Sequence, residues 1–226
     1  MPLLIGLLLL VALLYGPQLW VRSVMARHSR ERSDLPGTGG QLATHLIERF
    51  GLDGVAVETT ETGDHYDPER RVVALSPANH DGRSLTAVAV AAHEVGHALQ
   101  HHHGYRPLWL RHRLVRAATG VQRVGSVLMM AAPVLLVVSR SPTGLVVPLV
   151  AGLASVAAGA LVHLVTLPVE LDASFRRALP VLNTGYLAPQ DRPRARRILT
   201  AAAFTYVATS LAGLLNLWYW LRLLRR

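Results

Sequence analysis

The chain has 226 residues, of which 51% are hydrophobic, and its formal net charge is +9. This length allows one domain with a real core, but the apolar fraction is high for a soluble domain and favours a membrane protein. Cysteine is absent, which excludes disulfides and thiolate metal sites, so a bound metal would need nitrogen and oxygen ligands. Lysine is absent too, and the arginines cluster beside apolar runs, which indicates contact with anionic lipid headgroups and not with nucleic acid.

Residues 3 to 21 form an uncharged apolar run with Tyr15 and Trp20 towards its end. The run is long enough to span a bilayer, so residues 1 to 21 are predicted to form a first transmembrane helix. A cleaved signal peptide is disfavoured, because the basic flank follows the run and no A-x-A-like site closes it.

Three more apolar runs follow. Residues 121 to 138 and 146 to 167 are joined by the short turn S-R-S-P-T-G and predict a transmembrane hairpin. Residues 198 to 221 end in an aromatic cluster, as a fourth span would. Arginines at the C-terminus argue against a complete fourth span and leave a tilted or interfacial helix as the alternative. The fold class expected is therefore a mainly α integral membrane protein with three to four transmembrane helices.

Arginine placement predicts the orientation. The arginine-rich segments after the first span, before the second and between the third and fourth all share one side if the spans alternate. By the positive-inside bias, residues 22 to 120 are expected in the cytoplasm and the N-terminus outside.

The soluble part, residues 22 to 120, contains three expected elements. The run G-G-Q-L-A-T-H-L-I-E-R-F-G has helical periodicity with a glycine stop, and two β-rich runs around D-H-Y-D-P predict a hairpin from Val55 to Ser76. A third element, a helix from Ser84 as N-cap to a stop at Gly104, contains the sequence H-E-V-G-H.

The H-E-x-x-H pattern comprises His93, Glu94 and His97. On a helix, positions i and i+4 lie one above the other, so both imidazoles can reach one ion while Glu94 projects beside them. Two neutral imidazoles with an adjacent carboxylate suit Zn²⁺, with the glutamate as general base. An amphipathic helix with ordinary histidines is the alternative, but the preceding L-T-A-V-A-V-A-A is apolar almost all round, which indicates burial.

A catalytic zinc needs a third ligand, and the residues leave several candidates. His103 stands where the metzincin pattern has its third histidine, although that pattern needs glycine where this chain has Gln100. His101 lies about 12 Å from His93 along a straight helix, too far to share an ion. Among the later carboxylates, Glu170 and Asp172 directly follow the third span and would lie on different helix faces, and Glu170 is preferred. The hairpin returns the chain to the side of His93, so Glu170 can reach it.

These motifs carry a resemblance. The run from D-H-Y-D-P-E-R-R to A-A-H-E-V-G-H-A-L-Q-H, with L-P-V-E-L-D-A-S-F-R-R-A-L downstream, resembles the YugP-type membrane zinc metallopeptidases over most of the chain. It is more distantly similar to HtpX/Ste24-type peptidases, in which an E-x-x-A-D-like motif supplies the third ligand. By position, the resemblance implies that Glu170 is that ligand and Ala173 the alanine. Ser174 replaces the aspartate, and Asp172 is a candidate for its hydrogen bond.

Two further features concern the substrate. The strand R-R-V-V-A-L-S is expected to be an edge strand beside the active-site helix, where Val72, Val73 and Ala74 would bind a peptide by strand addition. A donor for the tetrahedral oxyanion is also expected. The candidates are His65, Tyr66, Asn79, His80 and Tyr105.

The sequence therefore predicts a zinc-dependent metalloendopeptidase that acts on peptides or proteins beside the bilayer, with a small zincin-like α+β unit made of a β-hairpin and the active-site helix. After residue 120, the expected parts are a transmembrane hairpin (121 to 167), a third-ligand helix with a basic connection (168 to 197) and a C-terminal helix (198 to 226). A catalytically idle metal-binding scaffold and a lipid or nucleic-acid binder are the alternatives. No oligomeric state is predicted.

Overall fold

A buried helix lies at the centre of the fold in the computed structural model, which describes residues 2–204, and for residues 2–14 the backbone alone. This helix, α4 (Leu85–His102), begins at Ser84, whose hydroxyl accepts the N–H of Ala87, and its residues 85 to 100 are all buried. Before it come α1 (Pro2–Arg27) and α2 (Gly39–Arg49). The apolar face of α2 packs into the core formed around α4. This packing covers α4, which explains why its first two turns can be apolar all round.

A three-stranded sheet, not a two-stranded hairpin, occupies the region from Val55 to Ser76. Its strands are β1 (Ala56–Thr59), β2 (His65–Asp67) and β3 (Val72–Leu75), in the order β1-β3-β2. The strand β3 pairs parallel with β1 and antiparallel with β2. The two runs expected to form that hairpin are β1 and β3, and they pair in parallel, so this part of the expectation is wrong. The segment expected to be the turn contains β2, which is the antiparallel partner of β3.

The expectation that Val72, Val73 and Ala74 offer an edge to a peptide is wrong. These residues lie in β3, which is the central strand, so β1 and β2 already occupy its backbone groups on both sides. The free edges of the sheet are β1 and β2. The D-H-Y-D-P segment is half strand and half turn, because Asp67 ends β2 while its carboxylate accepts the backbone N–H groups of Glu69 and Arg70.

A long helical hairpin follows the one-turn helix α3 (Pro77–His80) and α4. It consists of α5 (Arg106–Ser139), a 3₁₀ turn (Pro142–Leu145) and α6 (Val146–Leu171). The second span was expected to begin at residue 121, but the basic segment before it is part of the same helix, α5. The third span was expected to end at residue 167, but α6 continues through Pro168. Small residues bring the two helices together, since a Cβ on Gly125 would lie 2.9 Å from the carbonyl oxygen of Ala151.

Beyond α6 the chain stays helical but changes its pitch. A π-helical segment (Asp172–Ala178), α7 (Leu179–Val181) and a second π-helical segment (Leu182–Tyr186) follow directly. The helical backbone ends inside this last segment, because Thr184 and Gly185 do not have helical dihedral angles. Gly185 has a positive φ of 105°, a conformation that L side chains disfavour. A 3₁₀ turn (Pro189–Asp191) leads into a last helix, α8, described over residues 192–204.

Two helical stretches within the described residues are long and apolar enough to cross a membrane, Arg106–Ser139 and Pro142–Tyr186. They correspond to the expected hairpin of the second and third spans. The first expected span coincides with α1, which has 26 residues. Most of the fourth, residues 205 to 221, lies outside the described residues.

Candidate metal centre

Two buried imidazoles of α4 point to one position in a cavity. His93 and His97 are one helical turn apart, and their Nε2 atoms are 3.2 Å from each other. The rings meet edge to face, with centroids 4.7 Å apart and planes at 82°. This is the arrangement that the i, i+4 spacing predicts.

The end of α6 supplies a carboxylate to the same position. The Oε2 atom of Glu170 lies 3.1 Å from Nε2 of His93 and 3.4 Å from Nε2 of His97. All three ligand atoms lie within 4.8 Å of one another, and Glu170 is 1% exposed. Two imidazole nitrogens and one carboxylate oxygen are a donor set that zinc takes in catalytic sites, so the residues present fit this metal.

His97 is oriented by Gln100, one turn further along α4. The Nδ1–H of His97 donates to Oε1 of Gln100 at 3.0 Å. The amide nitrogen of Gln100 donates to the carbonyl of Val169 at 2.8 Å and to Oδ2 of Asp172 at 2.9 Å. With Nδ1 protonated, the Nε2 lone pair of His97 is left for a metal. Asp172 therefore acts through Gln100 and lies outside the group of three ligand atoms.

His93 is oriented by Ser174 from the π-helical segment. The Nδ1 atom of His93 is 3.0 Å from Oγ of Ser174, which in turn donates to the carbonyl of Leu199 at 3.3 Å. Because the hydroxyl hydrogen of Ser174 is donated to Leu199, the hydroxyl oxygen accepts the Nδ1–H of His93. With the hydrogen on Nδ1, the Nε2 lone pair of His93 is available for a metal. Serine thus provides the hydrogen bond that the sequence put in doubt when aspartate was missing from this position.

Glu94 lies next to these residues and lines the same cavity, which has a volume of about 310 Å³. The pKa of Glu94 is raised to about 7, mainly by burial. The nearby carboxylates of Glu170 and Asp64 contribute to the rise in this pKa, and His93 and Arg111 oppose it. A carboxylate in this position can accept and return a proton near neutral pH.

Strand β2 and helix α5 form the other walls of the cavity. His65 and Tyr66 lie on the strand side, and Leu108, Arg111 and His112 on the helix side. The Nη1 atom of Arg111 is 3.1 Å from Oε1 of Glu170, the oxygen that faces away from the histidines. The sequence pattern gave no signal for Arg111 or His112, because their segment has the composition of a membrane-surface helix.

The other sequence candidates lie elsewhere. His103 is exposed at the end of α4, where its Nδ1 contacts Nη1 of Arg177 at 2.9 Å, and it is not in the metal-ligand group found among the described residues. The hydroxyl of Tyr66 is engaged with Nδ1 of His101 at 2.8 Å, and Asn79 donates to Asp64. His80 contacts Asp81, and Tyr105 lies against the guanidinium of Arg177. His65 lines the cavity.

The site geometry and its helical framework define a class of protein, a zinc-peptidase-like chain with an H-E-x-x-H helix and a distant glutamate. Comparison with known families agrees: residues 3–225 match the model of a family described as "Putative neutral zinc metallopeptidase". The chain belongs to this family, and the family predicted from its residues is confirmed.

The chain is also similar to a known protein of this kind. The chain is 35% identical over 209 residues to the "Putative membrane protease YugP" of Bacillus subtilis strain 168, and the match covers 92% of this chain and 89% of the relative. No solved structure gives a significant match. The distant similarity to HtpX/Ste24-type peptidases stays a prediction.

Proposed function

We propose that this protein is an integral-membrane zinc metalloendopeptidase that hydrolyses peptide bonds close to the bilayer surface. The observation that carries the proposal is the convergence of three donor atoms, from His93, His97 and Glu170, on one buried position beside an open cleft. Three protein ligands leave a fourth position for water or substrate, which is typical of catalytic and not of structural zinc sites.

The proposed ligands are His93 and His97 through Nε2 and Glu170 through Oε2. When bound there, zinc would supply Lewis acidity, which activates water as a nucleophile and polarises the peptide carbonyl. Gln100 and Ser174 hold the two imidazoles in the required tautomer, and Arg111 holds the outer oxygen of Glu170.

Glu94 is the proposed general base. Its carboxylate lines the cleft next to the ligands, so it can accept the proton of the attacking water and pass it to the departing amine. The proposed oxyanion donors are His65, a sequence candidate whose Nδ1 contacts the carbonyl of Gly63 and leaves Nε2 available, and His112, because both line the metal cavity.

The proposed substrate-binding strand is β2. It is an edge of the sheet, it pairs only with β3 among the described strands, and His65 and Tyr66 line the metal cavity. A peptide that adds to this edge would pass directly by the metal centre. Strand addition thus remains part of the proposal, at β2 in place of Val72, Val73 and Ala74.

The location beside the bilayer follows from the length of α6. The chain carries no Asp, Glu, Lys or Arg from residue 141 to residue 169. About 20 helical residues cross the hydrocarbon layer. Counted from Val146, where α6 begins after the hairpin turn, the crossing ends near residue 165. Glu170 then lies roughly 8 Å beyond it by helical rise, at headgroup depth. The arginine distribution supports a cytoplasmic metal centre.

The test is hydrolysis and zinc content measured together on detergent-purified protein. Wild type should carry about one zinc per chain and cleave an unfolded protein substrate. Glu94→Gln should retain the zinc and lose hydrolysis by at least about 100-fold, because the ligands are intact and the base is gone. Glu170→Ala should lose the zinc, while His103→Ala should keep it.

Each contrary result has a defined meaning. Equal cleavage by wild type and Glu94→Gln would remove the glutamate from the mechanism. Zinc without hydrolysis in wild type would favour the idle metal-binding scaffold. Loss of zinc in His103→Ala would reassign the third ligand.

A further inference from the structure

A second cavity, of about 380 Å³, adjoins the cavity at the metal centre. The two cavities share Arg111 and His112 in their walls, so they are neighbours. The remaining walls of the second cavity come from the turn after β2 and from α5. They are Asp67, Pro68, Glu69, Trp109, Val115 and Arg116.

One side of α5 faces this second cavity. Trp109, His112, Val115 and Arg116 follow helical spacing, and Trp109 and Val115 are 46% and 39% exposed. The side that packs on α6 is a different one, on which Gly125 meets Ser155. The exposed apolar surface of Trp109 and Val115 is therefore not needed to hold the hairpin together.

Strand β2 passes both cavities. Its residues His65 and Tyr66 line the metal cavity and Asp67 lines the second one. An extended peptide advances about 3.3 Å per residue, so a peptide lying along β2 with its scissile bond at the metal would place a nearby side chain in the second cavity.

The walls select an apolar side chain. Trp109, Val115 and Pro68 contribute apolar surface, whereas two acidic and two basic residues oppose each other. The carboxylate of Asp67 is already engaged by backbone N–H groups, and Arg111 contacts Glu170. The other two charges, Glu69 and Arg116, are opposite in sign, so the cavity has no excess charge that would favour a charged substrate group. An apolar side chain would gain contact area with Trp109, Val115 and Pro68.

We propose that the second cavity is a specificity site for a bulky apolar side chain of the peptide substrate, close to the scissile bond, with Trp109 and Val115 as the residues that determine the preference. This inference rests on the proposed peptidase function and names the chemistry of the peptide that the cleft prefers.

Binding to an inactive form tests it. Full-length Glu94→Gln protein in detergent is titrated with fluorescent nine-residue peptides that are identical except for one position, which carries alanine or phenylalanine and is moved along the peptide. Phenylalanine at one position should bind about tenfold more tightly than alanine. Val115→Trp, added to Glu94→Gln, should abolish that difference by filling the cavity. Val124→Trp is the matched control, because Val124 is 60% exposed on α5 and lines neither cavity.

Two results would overturn the inference: equal affinity for alanine and phenylalanine peptides at every position, or a phenylalanine preference that survives Val115→Trp. Cleavage by wild type, followed separately, reports on the proposed function. Cleavage without any apolar preference defeats only the specificity site, and binding with the preference but without cleavage defeats only the peptidase.

Discussion

At the scale of single residues, Gln100 and Ser174 decide which nitrogen of each histidine is free. Each accepts the Nδ1–H of one imidazole, and Gln100 is 0% exposed, so no water competes for its amide. Without these acceptors, either ring could turn or carry its hydrogen on Nε2, and each such state would have to be reversed before a metal binds.

Gln100→Leu should therefore weaken zinc binding by roughly 10- to 100-fold, since the side chain that orients His97 loses its acceptor and its two donors. The measurement is zinc affinity by competition with a chromophoric chelator. Gln122→Leu is the matched control on α5, away from the metal centre. Unchanged zinc affinity in Gln100→Leu would show that the orientation of His97 does not depend on this amide.

Arg111 holds the outer oxygen of Glu170, which lies in an almost fully buried position. Arg111→Ala should lower zinc affinity because Glu170 loses the partner that positions it, and Arg111→Lys should restore part of the affinity through its ammonium group. The same chelator competition measures both variants. Full affinity in Arg111→Ala would limit this arginine to lining the cleft.

The sequence predicted those site residues whose relation is local. His93, Glu94 and His97 follow from helical spacing alone, while Glu170 needed the topology of the hairpin and a family resemblance. Ser174 and Arg111 act on partners 81 and 59 residues away, so no short pattern could indicate them. Gln100 acts on His97, only three residues away, but its amide is held by Val169 and Asp172, which are 69 and 72 residues away. In the sequence, Gln100 was noted only because the metzincin pattern has a glycine at that position.

At the scale of elements, the approach of α4 to the π-helical segment requires a glycine. A Cβ on Gly96 would lie 2.8 Å from the carbonyl oxygen of Ala173, which is shorter than such contacts allow. The close contact brings Ser174 to His93 and keeps Glu170 near both imidazoles. The glycine inside H-E-V-G-H is therefore a packing requirement.

Gly96→Ala should separate the two elements and lower both zinc content and melting temperature, although alanine is the better helix former. Gly120→Ala is the control, because a Cβ there meets nothing within 4 Å, and it should leave both unchanged. The measurements are elemental analysis and thermal unfolding in detergent. A zinc content in Gly96→Ala equal to that of wild type would mean that the backbones adjust at little cost.

Element types were predicted better than their limits. Apolar periodicity gave α4 and both helices of the hairpin, but the arginines of α5 concealed its continuity with the second span. Asp67 and Pro68 gave a turn signal that hid the three-residue strand β2, which is stabilised by pairing with β3 and not by its own residues. Because β2 was missed, β3 was expected to have a single partner and a free edge, which made the edge assignment wrong.

At the scale of the whole molecule, an ion pair joins the segment after α1 to the segment before α8. Nη1 and Nη2 of Arg32 contact Oδ1 and Oδ2 of Asp191 at 2.9 Å and 2.8 Å. Nη1 of Arg194 donates a third hydrogen bond, to Oδ1. Asp191 is 1% exposed. The hydrogen bond from Arg32 is the main reason that the pKa of Asp191 is lowered.

A lowered carboxylate pKa stabilises the fold above the unfolded value of about 3.9 and loses this effect as the pH falls through the folded value. Asp191→Asn should therefore unfold more easily at pH 7, by about 3 kcal/mol, and its stability should fall less than that of wild type between pH 5 and pH 3. Thermal unfolding across this range is the measurement, with the exposed Asp53→Asn as control. Parallel pH curves for wild type and Asp191→Asn would contradict the role of this pair.

The separation between the ligands also affects when the centre can form. His93 and Glu170 are 77 positions apart, with the entire helical hairpin between them. A metal bound by both residues would cross-link the two ends of that loop. This cross-link would restrict the conformations of the unfolded chain and so stabilise the folded hairpin. A growing chain has H-E-x-x-H long before it has Glu170, so the complete ligand set appears only after the hairpin has been made and has folded back. Formation of the metal centre is thereby tied to formation of the helical hairpin.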